Sequence, residues 1–178
     1  VLLSKKRAKL LREAGLNRLT VSLDSLDPEK FHKISGSKYL PEDVLEGIEN
    51  AKYSGFDNIK INTVVKKNIN ERDILPMLDY FKDSGCIVRF IEFMDVGNVN
   101  LWNKNDVLTL NDITSIISEK YAIAPLESNY KSEVAKRWSY EGGEFGIISS
   151  ISKPFCGNCS RVRLTAEGKL FTCLFASN

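Results

Sequence analysis

The sequence predicts an α/β fold in which parallel strands alternate with helices, followed by a smaller region of mixed α and β structure. Between residues 4 and 94, apolar residues repeat first with the helical period and then with the strand period, in alternation. The predicted helices end near glycines, as helices often do. Strand and helix in alternation are typical of parallel βα units, so we expect a TIM-like barrel or an open doubly wound sheet.

The first unit begins with a helix over residues 4–14, where Ser4 is a suitable N-cap and the following glycine a stop signal. Residues 18–24 then alternate strictly between polar and apolar side chains, which indicates a strand. An aspartate–proline pair at residues 27–28 predicts the start of a short helix, with the aspartate as cap and the proline in the first turn.

The next units repeat this order. A longer helix is predicted over residues 41–55, which carry an apolar stripe and a terminal glycine. Residues 58–65 alternate again and predict the second strand. Residues 71–85 predict a helix with Asn70 as its cap, and residues 87–94 predict the third strand.

The βα pattern ends in a polar loop near residue 100, so we divide the chain into residues 1–100 and 101–178. In the second region, the stretch from Thr109 to Asp112 resembles a capping box and predicts a helix. Two consecutive glycines, followed by a strand over residues 145–149, predict a hairpin.

Two of the predicted strands are polar on one face, although parallel strands buried on both faces are usually apolar throughout. Ser22 and Asp24 share a face of the first strand, and Lys60 and Asn62 share a face of the second. A polar inner face predicts a cavity that holds a ligand. The alternative is that these are edge strands with one face in water. In the third strand, Arg89 shares its face with apolar residues.

Three of the four cysteines lie near the end of the chain, at a spacing that indicates a metal site. One tight turn can direct Cys156 and Cys159 at a single group, and a predicted hairpin returns Cys173 towards them. Three thiolates suit a cubane iron–sulfur cluster with one open iron. They also suit a zinc ribbon if Cys86 supplies a fourth ligand, and spacing alone does not distinguish the two.

Arg161 and Arg163 follow the cysteine pair at positions i and i+2 of a predicted strand. Side chains at this spacing point to the same face, so the two guanidinium groups form a pair suited to phosphate or carboxylate. The alternative is that both arginines are solvated charges on a strand. The stretch from residue 154 to 175 therefore predicts an open metal site beside an anion-binding pair.

The composition is that of an ordinary globular protein, with 43% hydrophobic residues, 27% charged residues and a net charge of +2. No apolar run approaches the roughly twenty residues that cross a membrane. The basic residues are spread along the chain rather than gathered for nucleic acid. We therefore expect neither a membrane nor a nucleic-acid partner. The clustered cysteines favour a reducing compartment, which predicts a cytoplasmic protein.

Four stretches of the chain resemble the signatures of one family: LTVSLDSLDPEKF, IKINTVVKKNIN, VRFIEFMDVGN and FCGNCSRVRLTAEGKLFTCLF. In the same order, they resemble segments of the radical-SAM GTP 3',8-cyclases that begin molybdenum cofactor biosynthesis (the MoaA family). The resemblance implies a lyase with a partial TIM-type barrel of the radical-SAM kind, followed by a C-terminal α+β region with a cluster-binding hairpin. It places residues 1–100 in the C-terminal part of that barrel and the cluster site in residues 101–178.

The family implies two [4Fe-4S] clusters, the cofactor S-adenosylmethionine, and the substrate GTP, which is cyclised to (8S)-3',8-cyclo-7,8-dihydroguanosine 5'-triphosphate. Carried over by resemblance, Cys156, Cys159 and Cys173 match the ligands of the auxiliary cluster. The positions that match GTP-binding residues are Lys60, Arg89, Arg161, Val162 and Arg163. Those that match contacts of S-adenosylmethionine are Ser22 and Met94.

The CxxxCxxC motif, which holds the radical-generating cluster in this family, is absent from the sequence. We therefore expect an internal or C-terminal fragment that is inactive alone, and we assign no catalytic residue. The resemblance also implies a homodimer and, as partner, the next pathway enzyme, cyclic pyranopterin monophosphate synthase. Two alternatives remain open: another radical-SAM enzyme with an auxiliary cluster, and a structural zinc-binding module.

Overall fold

A six-stranded mixed sheet lies at the centre of the computed structural model, which describes residues 3–95 and 102–173. Its strands are β1 (Thr20–Ser22), β2 (Lys60–Val65), β3 (Ile87–Glu92), β4 (Ala124–Leu126), β5 (Lys136–Tyr140) and β6 (Gly143–Ile148). The order is β1-β2-β3-β6-β5-β4. The first four strands in this order run parallel, and β5 and β4 are antiparallel to their neighbours. The α/β class is therefore confirmed.

Five α-helices lie in the described residues: α1 (Lys5–Glu13), α2 (Pro28–Ser35), α3 (Pro41–Tyr53), α4 (Ile74–Phe81) and α5 (Leu110–Ser118). Three of the four predicted caps are confirmed. The Ser4 hydroxyl accepts a backbone N–H at the start of α1, and the Asp27 carboxylate accepts two at the start of α2. Thr109 and Asp112 form the capping box of α5. Each such cap stabilises its helix by about 1 kcal/mol.

The helices and one face of the sheet form the hydrophobic core. Its fully buried side chains include Ile61, Val88, Phe90 and Phe145 from the strands and Ile48, Met77 and Ile113 from the helices. Full burial of one such side chain stabilises the fold by about 1.5–3 kcal/mol. This face of the sheet therefore holds the fold together, and the opposite face carries the polar side chains.

The helix predicted over residues 71–85 is a 3₁₀ turn followed by α4, and Asn70 does not cap it with its side chain. The Asn70 amide instead donates to the carbonyl oxygens of Asp24 and Val64. Its oxygen accepts the N–H of Lys66. These three bonds join the ends of β1 and β2, so a tertiary role replaces the predicted capping role.

Strands β7 (Arg163–Leu164) and β8 (Leu170–Phe171) form a separate antiparallel pair. The turn between them contains Gly168, whose φ of +82° lies in the left-handed region that favours glycine. Arg161 precedes β7, so the predicted strand that carries both arginines is wrong at Arg161. That this short strand pair binds a cluster stays a prediction.

Strand β6 lies beside β3, so a single sheet continues from the first region of the chain to the second. The predicted division between residues 100 and 101 lies outside the described residues. Strands β1 and β4 are the edges of the sheet. Closure into a barrel is not observed in the part of the chain that the structure describes, and it stays a prediction. Within residues 3–95 and 102–173, no helix combines the length and the apolar character needed to span a membrane.

Candidate functional site

Polar side chains line up across the face of the sheet opposite the core. Ser22, Asn62 and Arg89 are register partners in neighbouring strands. Arg89 Nε donates to Asn62 Oδ1 at 3.0 Å, and Arg89 Nη2 donates to Thr20 Oγ1 at 3.4 Å. The arrangement follows from the strand period of two, because every second side chain points away from the core. The polar face that the sequence predicts is therefore present.

A cavity of about 490 Å³ lies against this face, and both Lys60 and Arg89 line it. Arg137, another lining residue, is neutralised by Glu144, with Nη2 and Oε2 2.6 Å apart. In contrast, neither Lys60 nor Arg89 forms an ion pair with any residue in the described part of the chain. Two unpaired cations in one cavity favour an anionic ligand.

Burial lowers the pKa of Lys60 below its ordinary value, and the neighbouring positive charge of Arg89 lowers it further. Burial also lowers the pKa of the Arg89 guanidinium. The carboxylate of Glu133, which lines the same cavity, opposes these shifts only in part. An anion bound between the two cations would offset the cost of holding them away from water.

The predicted cysteine ligands line a second cavity, of about 300 Å³. The predicted residues that meet there are Cys156, Cys159, Cys173, Arg161, Arg163 and Met94. The cavity lies at the carboxyl edge of the sheet, because Met94 follows β3 and another lining residue, Ser150, follows β6. Ligands in α/β proteins usually bind at this edge.

A 3₁₀ turn positions the first two cysteines, with the N–H of Cys159 donating to the carbonyl of Cys156 at 3.2 Å. Arg161 Nε donates to Cys159 Sγ at 3.2 Å, and its guanidinium carbon lies 4.8 Å from the centre of the Phe155 ring. The backbone N–H of Arg161, followed by its side chain, lowers the pKa of the Cys159 thiol. The thiolate form that this favours is the form that binds metals.

The position of Cys86 bears on the choice between an iron–sulfur cluster and a zinc ribbon. Cys86 is buried at the amino end of β3, opposite the cysteine cavity. The six residues of β3 separate the two positions by about 20 Å. Among the described residues, no three His, Cys, Asp or Glu side chains, the three cysteines of this cavity included, are arranged to hold a single metal ion. Three thiols at one cavity agree with a cubane cluster that has three protein ligands.

The structure divides the predicted site residues between two places. Lys60 and Arg89 line the larger cavity, and the cysteines line the smaller one with the arginine pair and Met94. Ser22 and Val162 lie outside both linings. Ser22 is exposed at the end of β1, and Val162 is 61% exposed between the two arginines.

Sequence reasoning missed Glu92, which is fully buried at the end of β3. Its carboxylate accepts the backbone N–H groups of Leu110, Ile151 and Ser152. The alternation of β3 could have indicated that Glu92 is buried, because Glu92 lies on the same face of the strand as the buried Phe90. A carboxylate on the core face of a strand requires several donors around it.

Residues 86–178, just over half of the chain, match the family model described as Molybdenum Cofactor Synthesis C. The chain belongs to this family. Residues 1–81 match the model of the Radical SAM superfamily, so the two matches meet between α4 and β3. Both matches agree with the four signature stretches, and the resemblance drawn from them is confirmed.

Relatives in the family are named GTP 3',8-cyclase. One from Xanthomonas campestris pv. campestris is 46% identical over 174 residues, which cover 97% of this chain and 51% of the relative. One from Acidothermus cellulolyticus is 46% identical over 95% of this chain and 47% of the relative. One from Staphylococcus epidermidis is 43% identical over 99% of this chain and 52% of the relative. The chain thus spans about half the length of the curated relatives it matches.

Proposed function

We propose that this chain is part of a GTP 3',8-cyclase, a radical-SAM lyase in the first step of molybdenum cofactor biosynthesis. The reaction converts GTP to (8S)-3',8-cyclo-7,8-dihydroguanosine 5'-triphosphate. The observation that supports this proposal best is the cavity at the carboxyl edge of the sheet, where three cysteines meet two arginines and Met94. The names of the relatives agree with it.

Cys156, Cys159 and Cys173 are the proposed ligands of an auxiliary [4Fe-4S] cluster. When bound, a cluster with three protein ligands supplies one open iron that coordinates the guanine of the substrate. The contact between Arg161 and Cys159 favours the thiolate that ligation requires.

Positively charged side chains line both cavities, and the two linings lie towards opposite ends of the parallel strands. Arg161 and Arg163 stand beside the cysteines, whereas Arg89 lies within β3, about 10 Å from its carboxyl end. GTP is elongated, with an uncharged base at one end and a triphosphate at the other. We therefore place guanine at the cysteines and the triphosphate at Lys60 and Arg89, with the backbone of Val162 as a further contact.

S-adenosylmethionine is proposed to bind at Ser22 and Met94, which both lie at the carboxyl edge of the sheet. The printed sequence contains no CxxxCxxC. We therefore assign the reductive cleavage of S-adenosylmethionine, and the second [4Fe-4S] cluster that performs it, to the part of the relatives that this chain does not cover. The same part would complete a partial TIM-type barrel over the polar face of the sheet.

We also propose that the protein is cytoplasmic and forms a homodimer. Its product would pass to cyclic pyranopterin monophosphate synthase. Thiolates that serve as cluster ligands require a reducing compartment. The dimer and the partner enzyme follow from the family assignment.

The test is anaerobic reconstitution with iron and sulfide, followed by electron paramagnetic resonance (EPR) and calorimetric titration with GTP. We expect about four irons per chain and an EPR signal that GTP perturbs. GTP affinity should fall about tenfold or more in Lys60→Ala and in the Arg161→Ala/Arg163→Ala double variant, because each change removes a charged hydrogen-bond donor. The matched control is Lys169→Ala, which removes an exposed positive charge from the β7–β8 turn, outside both cavities.

Two results would redirect the proposal. One zinc per chain, with no response to GTP, would identify a structural metal module. An intact cluster with ATP bound as tightly as GTP would indicate another radical-SAM enzyme with an auxiliary cluster.

A further inference from the structure

The carboxylate of Glu92 joins three segments of the chain at the carboxyl edge of the sheet. Glu92 is the last residue of β3 and is fully buried. Its Oε1 accepts the N–H of Leu110, the first residue of α5, at 2.8 Å. Its Oε2 accepts the N–H groups of Ile151 at 2.8 Å and Ser152 at 2.7 Å, and the Ser152 hydroxyl donates to Oε1. Four donors therefore converge on one side chain.

These four bonds constrain the loop that follows β6. An ionised carboxylate only accepts hydrogen bonds, so each of its oxygens here is matched by two donors. Hydrogen bonds to a charged acceptor are roughly twice as strong as neutral ones. Two further bonds close the loop on itself: Ser150 N–H to the Ile148 carbonyl at 3.0 Å, and the Ser149 hydroxyl to the Lys153 carbonyl at 3.1 Å.

The loop held by Glu92 forms one wall of the cysteine cavity. Ser150 lines the cavity directly, and the chain continues from the loop to the lining residues Phe155 and Cys156. Met94, two residues after Glu92 itself, also lines the cavity. The Ser150 hydroxyl is buried and has no hydrogen-bond partner within the described ranges. A buried hydroxyl in a constrained loop is available to an acceptor atom of a group bound there.

We propose that Glu92 is a positioning residue for the cysteine site. Its carboxylate fixes the loop of residues 149–153 against the end of β3, and so sets the cysteine turn at a defined distance from Met94. This role rests on the proposed assignment of the three cysteines as cluster ligands. It concerns the retention and the environment of the cluster, since Glu92 itself ligates nothing.

Glu92→Gln tests the proposal, because it keeps the size of the side chain but turns an amide NH₂ towards groups that are themselves donors. We expect the reconstituted variant to release iron to a chelator about tenfold faster than the unmodified protein. Its EPR signal should broaden, because the cysteine turn then occupies more than one position. Hydrogen exchange of the Ile151 and Ser152 amides should also be about tenfold faster, with or without the cluster.

The matched control is Asp73→Asn. Asp73 is also a buried carboxylate, and it accepts hydrogen bonds from Ser25 and Lys30, but it lies outside the cysteine cavity. Both variants should lower thermal stability, whereas only Glu92→Gln should accelerate iron release. A milder variant, Ser152→Ala, removes one of the four donors and should accelerate release about threefold.

Equal rates of iron release in the unmodified protein and in Glu92→Gln would overturn the positioning role. So would equal acceleration in Asp73→Asn, because the effect would then be one of global stability. If Glu92→Gln does not fold, unchanged iron release in Ser152→Ala overturns the role instead. Failure of the unmodified protein to bind a cluster would overturn the proposed function together with this role, so the two failures are distinguishable.

Discussion

Gly146 lies beside Arg89 in neighbouring parallel strands, and the absence of a side chain at Gly146 leaves room for the Arg89 side chain. The two residues are register partners in β6 and β3. A Cβ built on Gly146 would lie 3.4 Å from Arg89 Cγ and 3.2 Å from Ala135 Cβ. The distance to Ala135 is short for two carbon atoms, and the distance to Arg89 is at the edge of ordinary van der Waals contact. A side chain larger than that of alanine must therefore displace its neighbours.

Gly146→Val is therefore expected to move Arg89 and to weaken GTP binding about tenfold, as measured by calorimetry. Its control is Ile147→Val in the same strand, where the side chain is fully buried in the core on the other face. The control should cost about 1 kcal/mol of stability and leave GTP binding unchanged. Unchanged affinity in Gly146→Val would show that the position of Arg89 does not matter for the nucleotide.

GTP binding should also depend on the charge of Lys60. Burial and the proximity of Arg89 lower the pKa of Lys60, so it loses its proton at a lower pH than an ordinary lysine does. The triphosphate requires the protonated ammonium, and GTP affinity should therefore fall as pH rises through this lowered pKa. Calorimetry between about pH 7 and about pH 10 would measure the fall.

Lys60→Arg is the variant that isolates this effect, because a guanidinium stays protonated across the same range. The fall in affinity with pH should flatten in Lys60→Arg. A fall as steep as in the unmodified protein would assign the pH dependence to another group.

Replacement of single cysteines should separate cluster ligands from core residues. Cys156→Ser should abolish cluster uptake, measured as iron and sulfide per chain after reconstitution. Cys86→Ser should retain the cluster and lose about 1–2 kcal/mol of stability, because a hydroxyl replaces a buried thiol. Loss of bound metal in Cys86→Ser would identify Cys86 as a ligand and rule out the three-cysteine cluster.

Asp73 is expected to contribute strongly to stability. It accepts hydrogen bonds from the Ser25 hydroxyl and from the Lys30 ammonium, and Ser25 is fully buried. Asp73→Ala leaves both donors without this partner and should cost about 2–3 kcal/mol in urea denaturation. Glu49→Ala breaks an exposed pair with Lys52 and should cost less than about 1 kcal/mol. Equal losses of stability in the two variants would contradict the expectation that the buried carboxylate contributes more than the exposed one.

Local patterns in the sequence predicted local features well. Ser4, Asp27 and Thr109 cap their helices as predicted, because capping joins residues only two or three positions apart. The polar positions of Lys60 and Asn62 follow from the strand period in the same way. Residues close in sequence determine these features, whatever the rest of the chain does.

Features that depend on distant segments were not predictable in this way. Residues 128–138 show no clear pattern, yet β5 begins within them, because β5 is held by its pairing with β6. Asparagine is a common N-cap residue, but the Asn70 amide donates its hydrogen bonds to carbonyl oxygens at the ends of β1 and β2. The hydrogen bonds of Glu92 were not predictable either, because the N–H groups that it accepts begin 18 residues later, at Leu110, and 59 residues later, at Ile151.

The sequence by itself determined the chemistry that this chain offers: three closely spaced thiols, a pair of arginines, polar strand faces, and the family to which these signatures belong. Only the tertiary structure decided which residues meet. Met94 joins the cysteines whereas Cys86 does not, although both flank β3. The reason is physical: a strand holds its two ends about 20 Å apart. Because β6 runs parallel to β3, the segment that follows β6 and carries the cysteines leaves the sheet at the carboxyl end of β3.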